Sequence, residues 1–226
     1  MASKTHGLDA DLQDYVTRNA CSISSVAQEL ISDTRSFSKH DYQVSVEQFG
    51  FLRLLARLLN AKSCLELGTF TGLSALALAE GVTEDGFVDT VDVNKETTDF
   101  AQNYWLKAGL QHKIRAHIEP AKAFLDRALL DPTGEPYDLV FIDAVKSEFE
   151  YYYECAVRLT RSGGVIAIDN VFRQGRVTNT SKNVDPGTDA VRRLTQKILR
   201  DNGTFSSMIP IGDGLTIVQN QKGEFH

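Results

Sequence analysis

Cys64-Leu65-Glu66-Leu67-Gly68-Thr69-Phe70-Thr71-Gly72-Leu73-Ser74 is the stretch on which the reading of this chain turns. It reads as a short apolar strand ending near an acid, a turn with two glycines four apart, and a small-residue helix over 74–80. Glycines let a backbone turn sharply and approach a ligand without a side chain in the way. The helix start adds unpaired N–H groups and a positive dipole end suited to an anionic group. Glu66, at the strand end, is placed to pair a cationic part of the same ligand. Ammonium and carboxylate on one ligand describe an amino-acid-like cofactor rather than a dinucleotide.

Working outward, strands and helices alternate. A capping-box pattern, Ser45-Val46-Glu47-Gln48, opens a helix to residue 59 with Phe49, Leu52, Ala56 and Leu59 on its buried face. The expected strands are Ser63–Leu67, 87–91, Ile114–Ile118, 138–142 and 165–168. The helices between them run from an Asn94 cap to Gly109, over Ala121–Leu130, and from a Ser147/Glu150 capping box to residue 159. A polar loop over 172–188 and a helix over 189–200 follow. Single helices between strands imply parallel pairing in a doubly wound α/β sheet. The last two strands, Thr204–Ile209 and 215–219, are joined by only Ile211-Gly212-Asp213-Gly214 with its flanks, which makes them an antiparallel hairpin. The expectation is thus a mostly parallel, seven-stranded, Rossmann-like sheet closed by that hairpin. Ahead of it, residues 9–35 carry apolar positions suited to one or two amphipathic helices. Residues 1–40 are therefore read as a helical extension that caps the site or contacts a second subunit, and 41–226 as the ligand-binding domain.

The 226 residues are 42% hydrophobic and 24% charged, ordinary for a soluble globular protein able to bury a core. A net charge of -6 argues against a nucleic-acid partner. The three cysteines, Cys21, Cys64 and Cys155, lack metal-ligand spacing and read as reduced thiols of a cytoplasmic protein. The polar, acidic start lacks the apolar run of a signal peptide, and no run is long enough for a membrane span.

Ligands of open α/β sheets bind beyond the carboxyl ends of the strands. Those ends carry Glu66, Asp92, Asp143 and the pair Asp169-Asn170. Each alone also reads as an ordinary turn-former; four together point to a site. Asp92, about 20 residues past the glycine turn, suits ribose hydroxyls. The spacing Gly68-x-x-x-Gly72 is not the dinucleotide fingerprint and no phosphate-binding loop is present, so S-adenosylmethionine fits best. Asp143, Asp169 and Asn170 offer hard oxygen donors that suit Mg²⁺ or another divalent cation. Lys146 is placed to approach the same point, although a solvated lysine is the ordinary fate of that residue type.

Several motifs in order make the chain resemble the cation-dependent class I O-methyltransferases, which include catechol and caffeoyl-CoA O-methyltransferases. The resemblance covers residues 43–220. Its carriers are Val44-Ser45-x-Glu47-Gln48, residues 65–72 with Ser74, Phe141-Ile142-Asp143-Ala144-x-Lys146, Asp169-Asn170-Val171 with Gly175-Arg176-Val177, and Pro210-Ile211-Gly212-Asp213-Gly214-Leu215. It implies that Glu66, Ser74 and the Val44 and Gly68 backbone hold the methionine end of the cofactor. Thr69, Phe70 and Asp143 would border it, Asp92 would take the ribose and Ala121 would lie near the adenine. Asp143, Asp169 and Asn170 would ligate the metal, which takes both oxygens of a vicinal aromatic diol, with Lys146 as general base. A small-molecule aromatic substrate and a homodimer are expected.

The chain departs from the family pattern where substrate is met. His40 stands where catechol enzymes place a gating aromatic, and Tyr42 where Met is common. Val145 replaces Asp or Trp, Arg173 replaces Trp or Leu, and Glu119 replaces a Gly beside the adenine. Arg173, Arg176 and Lys182 read either as receivers of an acidic substrate group or as a solvated loop. A metal-independent methyltransferase with the same cofactor site is the alternative reading, and a non-enzymatic binding module a more distant one.

Overall fold

A computed structural model describes residues 8–131, 134–179 and 185–222. Two helices, α1 (Ala10–Asn19) and α2 (Ser25–Thr34), precede α3 (Val46–Leu58). Then come β1 (Ser63–Leu67), α4 (Leu73–Gly81), β2 (Phe87–Asp92), α5 (Lys95–Lys107), β3 (Ile114–Ile118), α6 (Ala121–Leu130) and β4 (Tyr137–Ile142). The remainder is α7 (Phe149–Leu159), β5 (Thr160–Ile168), α8 (Pro186–Arg200), β6 (Thr204–Ile209) and β7 (Leu215–Asn220). The strands form one seven-stranded sheet in the order β3-β2-β1-β4-β5-β7-β6. The first five pair in parallel, while β7 runs antiparallel to both β5 and β6. The expected sheet and its closing hairpin are both present.

Strand β1 is buried along its whole length, as a central parallel strand must be when helices cover both faces. Its alternation divides the core: Cys64 packs with α3 and α4, whereas Leu65 and Leu67 pack with α6 and α7. Each such fully buried leucine contributes about 1.5–3 kcal/mol relative to exposure, so the position of β1 is fixed from both faces. The polar atoms of Asp89, buried in β2, are met by His117 at 2.7 Å and the Tyr137 hydroxyl at 2.9 Å, bridging three strands.

Three local expectations are corrected. The Ser147/Glu150 capping box does not form: Lys146–Glu148 is a short 3-10 turn, and α7 starts at Phe149 with no side-chain cap. Helix α8 starts at Pro186, three residues before the expected Asp189, because Asp185 caps it (Thr188 N–H to Oδ1, 3.0 Å) and proline suits the first turn. Strand β5 starts at Thr160, where Arg161-Ser162-Gly163-Gly164 reads as loop but is carried in a bulge between the Tyr137 and Leu139 pairings. The two N-terminal helices are present as expected. Helix α2 buries Ala27, Leu30 and Thr34, whereas α1 buries nothing.

Candidate active site

The carboxyl ends of β1, β2, β4 and β5 meet at one edge of the sheet, and the glycine turn is built into that edge. Gly68 N–H donates to the Val91 carbonyl (2.9 Å) and Asp143 N–H to the Leu67 carbonyl (2.8 Å). At φ +100° Gly68 is in a region few side chains reach, and a Cβ there would stand 2.1 Å from the Asp143 carbonyl oxygen. Gly72, at φ +80°, would drive a Cβ into Ala101 and Trp105, whose indole N–H donates to the Gly72 carbonyl at 3.1 Å. Both glycines therefore also make room for neighbouring protein, Gly68 for the end of β4 and Gly72 for α5. Gly68 ties the turn directly to Asp143.

Glu66 is fully buried. Burial pushes its carboxyl up to about 8, against the nearby Ser74 and Thr90 hydroxyls, which favour the charged form. Thr90 donates to Oε2 at 2.5 Å and stands 2.5 Å from the Thr69 hydroxyl, while Oε1 has no hydrogen-bond partner among the described residues. A buried carboxylate oxygen with no donor is unusual in a folded protein and fits a cationic ligand group. Asp92 does more than its strand-end position suggests. Its Oδ2 accepts from Thr69 N–H and Phe70 N–H, both at 2.9 Å, and Oδ1 accepts from Asn94 N–H at 2.9 Å. It thus organises the turn, at which Phe70 adopts φ 47°. Ser74, two residues past Gly72, and Val44 are both buried, and Ala121 opens α6 half-buried.

Thr34 closes the turn from the N-terminal side. Its hydroxyl donates to Thr71 (3.0 Å), and Gln43 Nε2 donates to Thr34 (2.8 Å) and Thr71 (3.1 Å). The Phe70 ring lies 6.2 Å from both Phe37 and Tyr42. The sequence carried no periodic signal for this network; polar residues on an apolar helix face were the only hint.

Asp143 and Asp169 end the adjacent strands β4 and β5. Burial raises both carboxyls, Asp169 to about 8, and the Asp143 charge adds to the push on Asp169. Lys146 Nζ forms an ion pair with Asp143 Oδ1, both side chains mostly buried. Asp169 Oδ1 accepts from Gln48 Nε2 (2.8 Å) and Asn170 N–H (2.7 Å). Asn170 itself sits at φ 57°, a conformation asparagine tolerates better than most residues. Among the described residues no three His, Cys, Asp or Glu converge as a metal cluster. The donor set is two carboxylates and an amide, which fits a hard cation that keeps several positions for water or substrate oxygens.

The expected substrate positions are less united. Val145 is exposed beside Lys146. Arg173, at φ 52°, pairs with Asp185 at 3.3 Å, and Arg176 approaches the same carboxylate at 3.9 Å. Asp185 is pulled down to about 2 by Thr188 and Arg173. A Cβ on Gly187 would be 3.2 Å from Lys146 Cβ and 3.4 Å from an Arg173 terminal nitrogen, so the Arg173 loop borders the Lys146 side of the site. His40 is exposed on the His40–Tyr42 turn and, among the described residues, no hydrogen bond or ring contact joins it to Val145 or Arg173. Glu119 is held by Arg127 through two hydrogen bonds of 2.7 and 2.8 Å. Lys182 lies outside the described residues.

Comparison with known proteins bears on the same region. A family model described as "O-methyltransferase" matches residues 18–221. A probable caffeoyl-CoA O-methyltransferase 2 of Dictyostelium discoideum is 39% identical over 206 residues, covering 91% of this chain and 89% of that protein. Catechol O-methyltransferase domain-containing protein 1 of Mus musculus is 37% identical, over 78% of this chain and 67% of its own length. Among solved structures, the O-methyltransferase TomG of Streptomyces achromogenes in complex with S-adenosylmethionine superposes with a TM-score of 0.87 at 29% identity, covering 94% of this chain and 96% of that one.

Proposed function

Because the chain belongs to the S-adenosylmethionine-dependent O-methyltransferase family, we propose that it moves the cofactor methyl to one hydroxyl of a small aromatic bearing two vicinal hydroxyls, with a divalent cation, Mg²⁺, at the strand ends. The observation that carries this reading is the placing of Asp143, ion-paired with Lys146, and buried Asp169 at the ends of adjacent strands, with Asp143 in direct backbone contact with the glycine turn.

In this proposal Glu66 Oε1, without a protein donor, receives the cofactor ammonium, and Ser74 with the Val44 and Gly68 backbone borders the methionine end. Thr69, Phe70 and Asp143 line the path to the sulfonium, Asp92 reaches the ribose through its remaining lone pair, and Ala121 faces the adenine. Asp143, Asp169 and Asn170 hold the cation. A phenol, with pKa near 10, is a poor nucleophile at neutral pH, and a cation beside its oxygen stabilises the phenolate. Lys146 Nζ, as the neutral amine after releasing its own proton to solvent, would take the phenol proton, and the bound cofactor would supply the methyl, its carbon–sulfur bond breaking as the oxygen–carbon bond forms and leaving S-adenosylhomocysteine. Holding both reactants against one rigid strand edge supplies much of the rate. Incubation with cofactor and matched pairs of vicinal diols and monohydroxy aromatics, read by mass spectrometry, should give a mono-methylated product from the diols alone. Equal methylation of the monohydroxy partners would refute the diol reading.

A metal-independent methyltransferase is the second reading, favoured by one observation: Lys146 already neutralises Asp143. Transfer that persists in chelator would select it. We further propose that residues 1–40 cap the cofactor turn, supported by the Thr34–Thr71 bond. The exposed Leu12 and Tyr15 of α1 would then serve a homodimer contact, testable by light scattering. The three unpaired cysteines are compatible with a cytoplasmic setting.

A further inference from the structure

We infer that Gln48 is a positioning residue for the metal-side carboxylate Asp169, a role hidden by its place in a helix cap. The inference rests on the metal reading proposed above. Gln48 is the third residue of α3 and is almost fully buried. The direction of its amide follows from chemistry: Ser45 N–H can only donate, and it lies 3.0 Å from Gln48 Oε1. The amide nitrogen must then face the other way, where Nε2 stands 2.8 Å from Asp169 Oδ1, 121 residues further along the chain.

Asn170 N–H donates to the same oxygen at 2.7 Å. Oδ1 therefore has two donors, and among the described residues no hydrogen bond falls on Oδ2. The carboxylate is held by one oxygen and presents the other. The donor is also neutral. A lysine or arginine here would hold Asp169 equally well but would cancel the charge that attracts a cation.

The amide cannot swing away, because the hairpin between β6 and β7 closes over it. A Cβ at Gly212, which has φ +55°, would lie 2.6 Å from Gln48 Cδ and Oε1. The start of α3, the end of β5 and the closing hairpin thus meet at one side chain. A capping residue with no further duty would need only the bond to Ser45, and a glutamate would supply that as well.

The test separates the cap from the carboxylate. Gln48→Met keeps the volume but removes both the cap acceptor and the donor to Asp169, while Ser45→Ala removes the other half of the cap and leaves the Gln48–Asp169 bond. Mn²⁺ is titrated into the full chain with S-adenosylhomocysteine present, and free Mn²⁺ is read by electron paramagnetic resonance. Q48M should weaken Mn²⁺ binding about 10- to 100-fold, the range for residues that orient a ligand, while S45A stays within about twofold of wild type. S-adenosylhomocysteine affinity should be unmoved in both. Equal Mn²⁺ affinity in the two variants, or none lost in Q48M, overturns the role. Absence of Mn²⁺ binding in wild type overturns the metal reading itself, and this role with it. Should Q48M not reach native ellipticity, Q48L replaces it with the same expected loss.

Discussion

Replacing Glu66 with glutamine should change the sign of its effect on stability between pH 5 and pH 8. The folded protein lifts this carboxyl from 4.5 to about 8, chiefly by burial. A group bound more tightly to its proton when folded costs nothing below its unfolded value. The cost then grows by about 1.4 kcal/mol per pH unit and levels off above the folded value. The penalty is therefore under about 1 kcal/mol at pH 5, roughly 3 kcal/mol at pH 7 and close to 5 kcal/mol above pH 8. Glutamine removes it and keeps the Thr90 contact, but places an amide N–H₂ where Oε1 lacks a partner. An unmet buried donor costs about 1–3 kcal/mol at every pH. E66Q should thus be less stable than wild type at pH 5 and more stable by about 2–4 kcal/mol at pH 8, a Tm rise on the order of 5–10 °C for a chain this long. Scanning fluorimetry of the cofactor-free proteins from pH 5 to 8.5 reads this directly. S-adenosylhomocysteine should then stabilise wild type far more than E66Q. A difference between the two proteins that is the same at every pH would refute the burial cost, and equal stabilisation by ligand would refute the pairing of Glu66 with the cofactor ammonium.

Gly68→Ala should destabilise the chain by more than about 3 kcal/mol in urea, because its Cβ meets the Asp143 carbonyl at 2.1 Å from a backbone conformation alanine avoids; near-normal stability would mean that the turn and β4 are not in contact. Lys146→Met should lower kcat by about 10²- to 10⁴-fold, the usual contribution of a general base, with cofactor affinity unchanged by calorimetry. A wild-type rate would remove Lys146 from the proton transfer. Asp185→Ala strips the cap from α8 and should cost about 1 kcal/mol, lowering Tm by about 2–4 °C. Unaltered melting would show that Pro186 alone sets the helix start.

The sheet was legible because its signals are local and periodic. Apolar strands such as Ser63–Leu67, single intervening helices and the short Ile211–Gly214 link leave little topological choice, and the strand-end acids Glu66, Asp92, Asp143 and Asp169 follow from that topology. What escaped was long-range. Gln48 reads as a cap residue from its neighbours, and its bond to Asp169 spans two elements far apart in the chain. Asp92 reads as a ligand group, yet its nearest partners are the backbone N–H groups of the turn it supports. The Ser147/Glu150 pattern gives no cap because the Phe149 N–H closes a tighter turn on the Lys146 carbonyl first. The Asp185-Pro186 cap of α8 was available in the sequence, hidden inside a polar stretch that looks like loop throughout. The proposed substrate positions were the least legible, since loop residues such as His40, Val145 and Arg173 carry no periodicity and answer to a partner the chain does not encode.

The proposed reaction needs a divalent cation at Asp143, Asp169 and Asn170. Its most direct test is transfer of a labelled methyl from S-adenosylmethionine to a vicinal aromatic diol by protein stripped with a chelator and then given Mg²⁺ in steps. Transfer should fall to background on stripping and return with Mg²⁺, and Asp143→Asn should not recover at any Mg²⁺ concentration that restores wild type. Undiminished transfer by the stripped protein would contradict the account.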